Sequence, residues 1–505
     1  MAGLRRSTST TSRHRPRSRP SRSRVPMTRN PARRWRARPA AFPGKIPDWT
    51  VQTPAASVEA SKPVRSAVPT PRPRAPGWTK TECSTTPAYA HRSERPPAAP
   101  AAADRTGRWA AVAACRGTVG AGAGHLTDRC TGGEMRSVGV EEELLLVDAD
   151  SGAPVAVSGA VLAAAERRTW QNSGADGGTE HEFEKELHKE QLEFATKPIT
   201  EMGELQEEIV RIRGEAARHA ATAGAVIAAV ATSPLPVQPS LNVGRRYHWL
   251  GEQFGLTAQE QLTCGCHVHV SVASDEEGVA VLDRIRPWLA VLAAMSANSP
   301  FWQGEDSGYA GYRGRVWNRW PSAGPVGIFG SADRYHEQVR EMVDTGVLRD
   351  EGMIYFDARL SANYPTVEVR VADVCLDAST PVLLAALARG LVETASRAWQ
   401  DGQPPARVDT SLLRLANWRA ARSGLDGPLL HPETMRETSA EHAVEALYQH
   451  VREALKDHDD DERVREAIAH LHERGNGARI QRRLHAEGHD LGSVVTRCAQ
   501  MTIEP

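Results

Sequence analysis

Long apolar runs are missing from this chain of 505 residues. A membrane-spanning helix needs about 18 or more consecutive apolar residues. The nearest stretch, Ala220–Ala231, is shorter and runs into Pro234 and Pro236. A spanning protein is excluded. Cysteine is also scarce. Seven in the whole chain give no disulfide framework and fit a reducing cytoplasm. Cys264 and Cys266 form a C-x-C without the second pair a zinc site requires, and they read as small buried residues. Glycine-rich phosphate loops are absent too: neither G-x-x-x-x-G-K-[ST] nor G-x-G-x-x-G occurs. Any phosphate chemistry must therefore rest on arginine side chains and metal ions.

Net charge is zero, with 62 Lys+Arg against 62 Asp+Glu, but the balance averages two unlike parts. Residues 1–134 hold 25 basic and 7 acidic residues, a net of +18. Residues 135–505 hold 37 and 55, a net of −18. The first forty residues contain thirteen Arg and no acid, set among Ser, Pro and Thr. Such a segment buries too little apolar surface to offset its ordering entropy, so residues 1–134 are expected to be disordered. Three readings of it stand: an organelle transit peptide, a basic arm on phosphate backbones, or translated upstream sequence ahead of a start at Met135. The arm lacks interleaved aromatics and any nucleic-acid module, and the acidic remainder repels nucleic acid. The third reading is preferred, because patterned sequence begins directly after Met135.

At 371 residues, the acidic part can bury a large core. Arg136–Asp148, Cys264–Val272 and Tyr364–Val374 alternate or are β-branched and read as strands; Glu186–Thr196 is a further extended candidate. Met202–Val230, Pro287–Ser296, Pro381–Gln400, Pro432–Lys456 and Asp461–Arg474 read as helices. Strands scattered among helices without βαβ spacing predict an α+β fold with a largely antiparallel sheet.

The chemistry lies on those strands. Side chains alternate across a strand, so Glu141 and Glu143 share one face and Glu142 points to the other. Alone, the acidic run reads equally well as a solvated edge strand. Glu186 and Glu193 bracket the second extended segment, His267 and His269 share a face of the third strand, and Glu368 and Arg370 share a face of the fourth. Each pair in isolation is ordinary. Four such pairs flanked by Val, Cys and Leu need a common polar cavity. Paired carboxylates with nothing between them repel, and a hard divalent cation with oxygen ligands is the usual solution. Magnesium with ATP phosphates suits the set better than zinc. Arg313, Arg315 and Arg319 lie in a Gly- and aromatic-rich stretch, Ser299–Arg319, expected to be either a surface connection or a loop facing substrate.

VGVEEELLLVD, LEFAT, GCHVHV, SPFWQG and TVEVRVAD, in that order, resemble the glutamate–cysteine ligase type 2 family of carboxylate–amine ligases. The resemblance spans residues 135–505, the catalytic domain it implies, and none of residues 1–134. It implies a curved antiparallel sheet like that of glutamine synthetase and the guanido kinases, carrying metals and ATP. It implies Glu141, Glu143, Glu186, Glu193, His267 and Glu368 as metal ligands, His269 on a nucleotide phosphate, and Arg370 on glutamate or the moving phosphoryl group. Arg313 and Arg315 join Arg370 as catalytic candidates, and Arg313 joins His269 as a nucleotide contact. The expected reaction uses ATP and magnesium to activate the γ-carboxyl of glutamate for attack by cysteine. Another amine acceptor, or phosphorylation alone, remains open, as does self-association.

Overall fold

The computed structural model describes residues 135–173 and 183–504; the expectations for residues 1–134 lie outside the described residues. Ten residues rich in valine and leucine, Val138–Val147, form strand β1, the centre of the sheet. Along one edge of β1 runs β3 (Gln191–Ala195), while β4 (Val226–Ala228) lies on the other edge, opposite the last residues of β1. On that same edge lies β5 (Gly265–Ser271). The strand β2 (Phe183–Glu184) borders β3. A small hairpin, β6 (Phe301–Trp302) with β7 (Glu305–Asp306), stands apart. Two late strands, β8 (Ala358–Leu360) and β9 (Thr366–Asp373), complete the main sheet, giving the order β2-β3-β1-β5-β9-β8 with every pairing antiparallel. The α+β, antiparallel expectation is what the structure has.

Two helix expectations need correction. The stretch Met202–Val230 is a helix only to Thr222. Gly224, at φ +72°, turns the chain, and the following Val226–Ala228 is β4. An alanine-rich apolar run hides that change of period, because helix and buried strand both tolerate it. The helix expected from Pro432 begins instead at Ala440, where the Ser439 hydroxyl accepts from the His442 N–H as its cap. Among the described helices none is long and apolar enough to cross a membrane.

The back of the sheet is its core. Val138 and Val140 of β1 and Cys266, Val268 and Val270 of β5 are buried in one apolar cluster. The helices Met202–Thr222 and Ser379–Gln400 contribute Ile209, Leu383 and Leu387 to it. On this side lies Glu142, fully buried, with Arg213 Nε at 2.8 Å and Nη2 at 2.7 Å from its two carboxylate oxygens. The guanidinium also donates to the carbonyls of Cys375 and Leu376, at 2.7 Å and 3.1 Å. Removing one member leaves the other charge buried without its counter-ion. Arg213→Met should cost about 3–5 kcal/mol in urea unfolding, and the double change Glu142→Gln, Arg213→Met clearly less. Equal losses in the two would show that the pair is not coupled.

Candidate active site

The opposite face carries the polar residues, and strand register assembles them. Glu143 lies opposite Glu193, Glu141 opposite His267, and Glu368 opposite both His269 and Arg359. One acidic and imidazole row thus crosses from β3 to β8. Between Cys266 and Val268 the pairing of β5 with β9 shifts by one residue. The surplus falls at Arg370 and Val371, which face the single residue His267. Such bulges bend a strand and re-aim its side chains, and they recur beside active sites.

Two groups of ligand atoms lie within 4.8 Å of one another: Glu141, His269 and Glu368, and Glu141, Glu193 and His267. Glu141 belongs to both. Its oxygens are 3.3 Å from His267 Nδ1 and 3.2 Å from His269 Nε2. The Nδ1 of His269 is fixed 3.0 Å from the Thr366 hydroxyl, while Nε2 of His267 is buried without a hydrogen-bond partner. An orphaned ring nitrogen among carboxylates makes a donor set that could hold a divalent cation. His269, which the resemblance assigns to a nucleotide phosphate, is grouped here with the ligands.

Electrostatics agree. Burial, then the Glu186 carboxylate, push the Glu143 carboxyl up to about 7. Burial, then Glu186, Glu141 and Glu143, hold Glu193 well above the usual carboxylate range. Burial also acts to raise the pKa of Glu141, but the His269 and His267 rings outweigh it and hold that pKa well below the usual range. The His267 ring, desolvated and facing Arg370, is lowered to about 3 and stays neutral at physiological pH, with one N–H still available to Glu141. A carboxyl whose folded pKa is raised binds its proton more tightly folded than unfolded. The associated stability is full at low pH and is lost as pH rises through about 7. In metal-free buffer the melting temperature should therefore fall between about pH 5 and pH 8, and magnesium should restore it. A flat profile would show that the carboxylates are not crowded.

The arginines divide. Arg313 is buried; its guanidinium lies so close over Gly265 that a Cβ there would meet Nη2 at 2.2 Å. The Gly265 N–H in turn donates to Glu143 at 2.6 Å. Arg313 and Arg370 both lie over the Trp317 ring, 5.6 Å and 5.9 Å from its centroid. Nε and Nη2 of Arg313 and Nε of Arg370 have no partner. Arg370 Nη1 contacts Glu368. Arg315 does not join them. The segment expected as a loop contains a short helix, Arg313–Trp317, and residues two apart on a helix point to different sides. Arg319 instead pairs with Glu260 at 2.6 Å on the surface. Glu186 precedes β3 in irregular chain, within electrostatic reach of Glu143 and Glu193. One participant went unread in the sequence: Arg359 of β8, whose Nε donates to Glu368 at 2.7 Å. Its strand of three residues is too short to show a period.

Comparison with known proteins gives the chain its family. The description "Glutamate-cysteine ligase family 2" matches residues 137–500. A Streptomyces avermitilis protein provisionally named glutamate–cysteine ligase 2-1 is 61% identical over 368 residues, covering 73% of this chain and 99% of that one. A Streptomyces coelicolor protein with the provisional name glutamate–cysteine ligase 2 is 60% identical over the same shares. In three dimensions, the glutamate–cysteine ligase of Francisella tularensis, solved with AMP, superposes with a TM-score of 0.54 at 13% identity, covering 74% of this chain and 89% of that one. A bifunctional glutathione synthetase from Pasteurella multocida gives 0.53 at 16% identity, over 73% and 51%. The chain belongs to glutamate-cysteine ligase family 2, and with it to the carboxylate–amine ligases.

Proposed function

We propose that this ligase uses ATP and magnesium to join the γ-carboxyl of glutamate to the amine of cysteine. One observation carries the reading: two potential ligand triads share Glu141, beside two arginines that each keep at least one buried nitrogen without a hydrogen-bond partner. The AMP in the Francisella neighbour supports a nucleotide substrate. Glutamate and cysteine come from the names of the relatives.

In this reaction the γ-phosphoryl group of ATP moves to the substrate carboxylate, giving an acyl phosphate and ADP. The acceptor amine attacks the acyl carbon, the amide forms, and inorganic phosphate leaves. Phosphoryl transfer depends on positioning and on neutralising charge. Glu141, Glu193, His267, His269 and Glu368 would hold the cations, which when bound neutralise phosphate oxygens. Glu143 and Glu186 flank this set and add negative charge. Arg370 and Arg313 offer N–H donors to the anionic oxygens of the moving group. Trp317 holds their guanidinium planes and keeps water from one side.

Full-length protein with ATP, magnesium and glutamate should release ADP when cysteine is supplied, and mass spectrometry should find γ-glutamylcysteine. ADP release with another amine in place of cysteine would keep the chemistry and change the acceptor. No ADP release with any amine would refute the reading.

A further inference from the structure

The carboxylate of Glu368 is held from two sides by guanidinium groups. Arg359 lies directly opposite it on β8. That arginine donates through Nε to Oε2 at 2.7 Å and through Nη2 to Oε1 at 3.4 Å. Its Nη1 is tied to the Ile354 carbonyl at 3.0 Å. Arg370, two residues along β9, reaches Oε1 through Nη1. All three side chains are withdrawn from water: Glu368 is 2% exposed, Arg370 8% and Arg359 15%. A charge left alone in such a place is expensive.

The same carboxylate belongs to the ligand triad with Glu141 and His269, and its Oε1 lies 3.9 Å from His267 Nδ1. Both of its oxygens already face a guanidinium. A dication that takes either one meets positive charge at short range. Cation and arginines therefore compete for one anion. The two guanidiniums also repel one another: burial, then Arg359, push the Arg370 guanidinium down to about 10. Without a carboxylate between them, two desolvated cations need an anion from elsewhere. Arg370 has a donor to spare even now, since its Nε is buried without a partner.

We propose that Arg359 joins Arg370 in a fork that binds the reacting carboxylate of the donor substrate, and that Glu368 fills this place until a divalent cation draws it away. The proposal rests on the ligase reading above. The anion that the fork holds in the structure is itself a carboxylate, the planar shape that guanidinium groups match. The place adjoins a ligand triad, where the phosphoryl group arrives, so the carboxylate it takes is the reacting one. Cation and donor then bind with positive coupling, the same in either order of addition. Arg359 touches substrate in this scheme. The alternative is that it only orients a metal ligand, and the two roles differ in sign. Loss of an orienting partner weakens metal binding roughly 10- to 100-fold, whereas loss of a competitor strengthens it.

Calorimetry on full-length protein without ATP tests this with no turnover, by titrating magnesium alone, and glutamate with and without saturating magnesium. Wild type should bind glutamate about 5- to 100-fold more tightly with magnesium present. Arg359→Met should bind magnesium more tightly than wild type, and glutamate in saturating magnesium about tenfold more weakly. Glu368→Gln should bind glutamate more tightly than wild type without magnesium and gain little on its addition. Arg359→Lys keeps the charge and the stem, and serves if the methionine variant does not fold. It should bind magnesium no more weakly than wild type and lose about tenfold in glutamate affinity. Magnesium binding weakened 10- to 100-fold in the Arg359 variants would make this residue an orienting one and overturn the proposal. Wild-type glutamate binding that ignores magnesium would overturn it as well. Coupled binding without ADP release in the assay above keeps the fork and sinks the ligase. ADP release with uncoupled binding keeps the ligase and sinks the fork.

Discussion

Glu141→Gln should lower kcat/KM for ADP formation by on the order of 10³, the largest effect of any single change on this face. Loss of one charge-stabilising contact commonly costs roughly 10²–10³, and Glu141 belongs to both ligand triads. Glutamine keeps the volume, so the strand should stay paired and the fold intact. Because both cation positions lose a ligand, raising magnesium should not restore the rate. Steady-state assays across magnesium concentrations check this. A variant within tenfold of wild type would mean that the triads do not share this ligand.

Arg370→Lys and Glu368→Gln should fail in different ways. Lysine keeps the charge of Arg370 but loses the planar fork and its stacking on Trp317. The expected loss is roughly 10²–10³ in kcat/KM, appearing in rate, in glutamate KM or in both, with no rescue by magnesium. Glu368→Gln weakens one triad only, so excess magnesium should recover part of its activity. It also frees Arg359 and Arg370 of their shared carboxylate, so apparent affinity for anionic substrate need not fall. Rescue of Arg370→Lys by magnesium, with none for Glu368→Gln, would exchange the two roles.

The strands that carry this chemistry were legible because their periods are short and unbroken. Val138–Val147, Gly265–Ser271 and Thr366–Asp373 each fall within two residues of the bounds read from alternation. Facing was legible too: Glu141 with Glu143, and His267 with His269, follow from period two alone. What alternation could not supply was the neighbour across the sheet. Arg359 meets Glu368 by pairing between strands, and nothing local to A-R-L announces it. Arg315 looked equivalent to Arg313 because the composition of a Gly-rich stretch says nothing of the short helix within it.

The buried pair on the back of β1 bears on how the strand finds its place. Three successive glutamates make a run in which a slip by one residue looks nearly silent, since an acidic side chain would still enter the cleft. Such a slip exchanges the two faces of a strand. It would sink Glu141 and Glu143 into the apolar side and lift Glu142 away from Arg213, which is anchored to the carbonyls of Cys375 and Leu376. One counter-ion, fixed at one depth, can answer only one of the three. Arg213 therefore acts as a parity check on the acidic strand, admitting the alignment that presents two carboxylates to the cleft and rejecting the one that presents a single carboxylate.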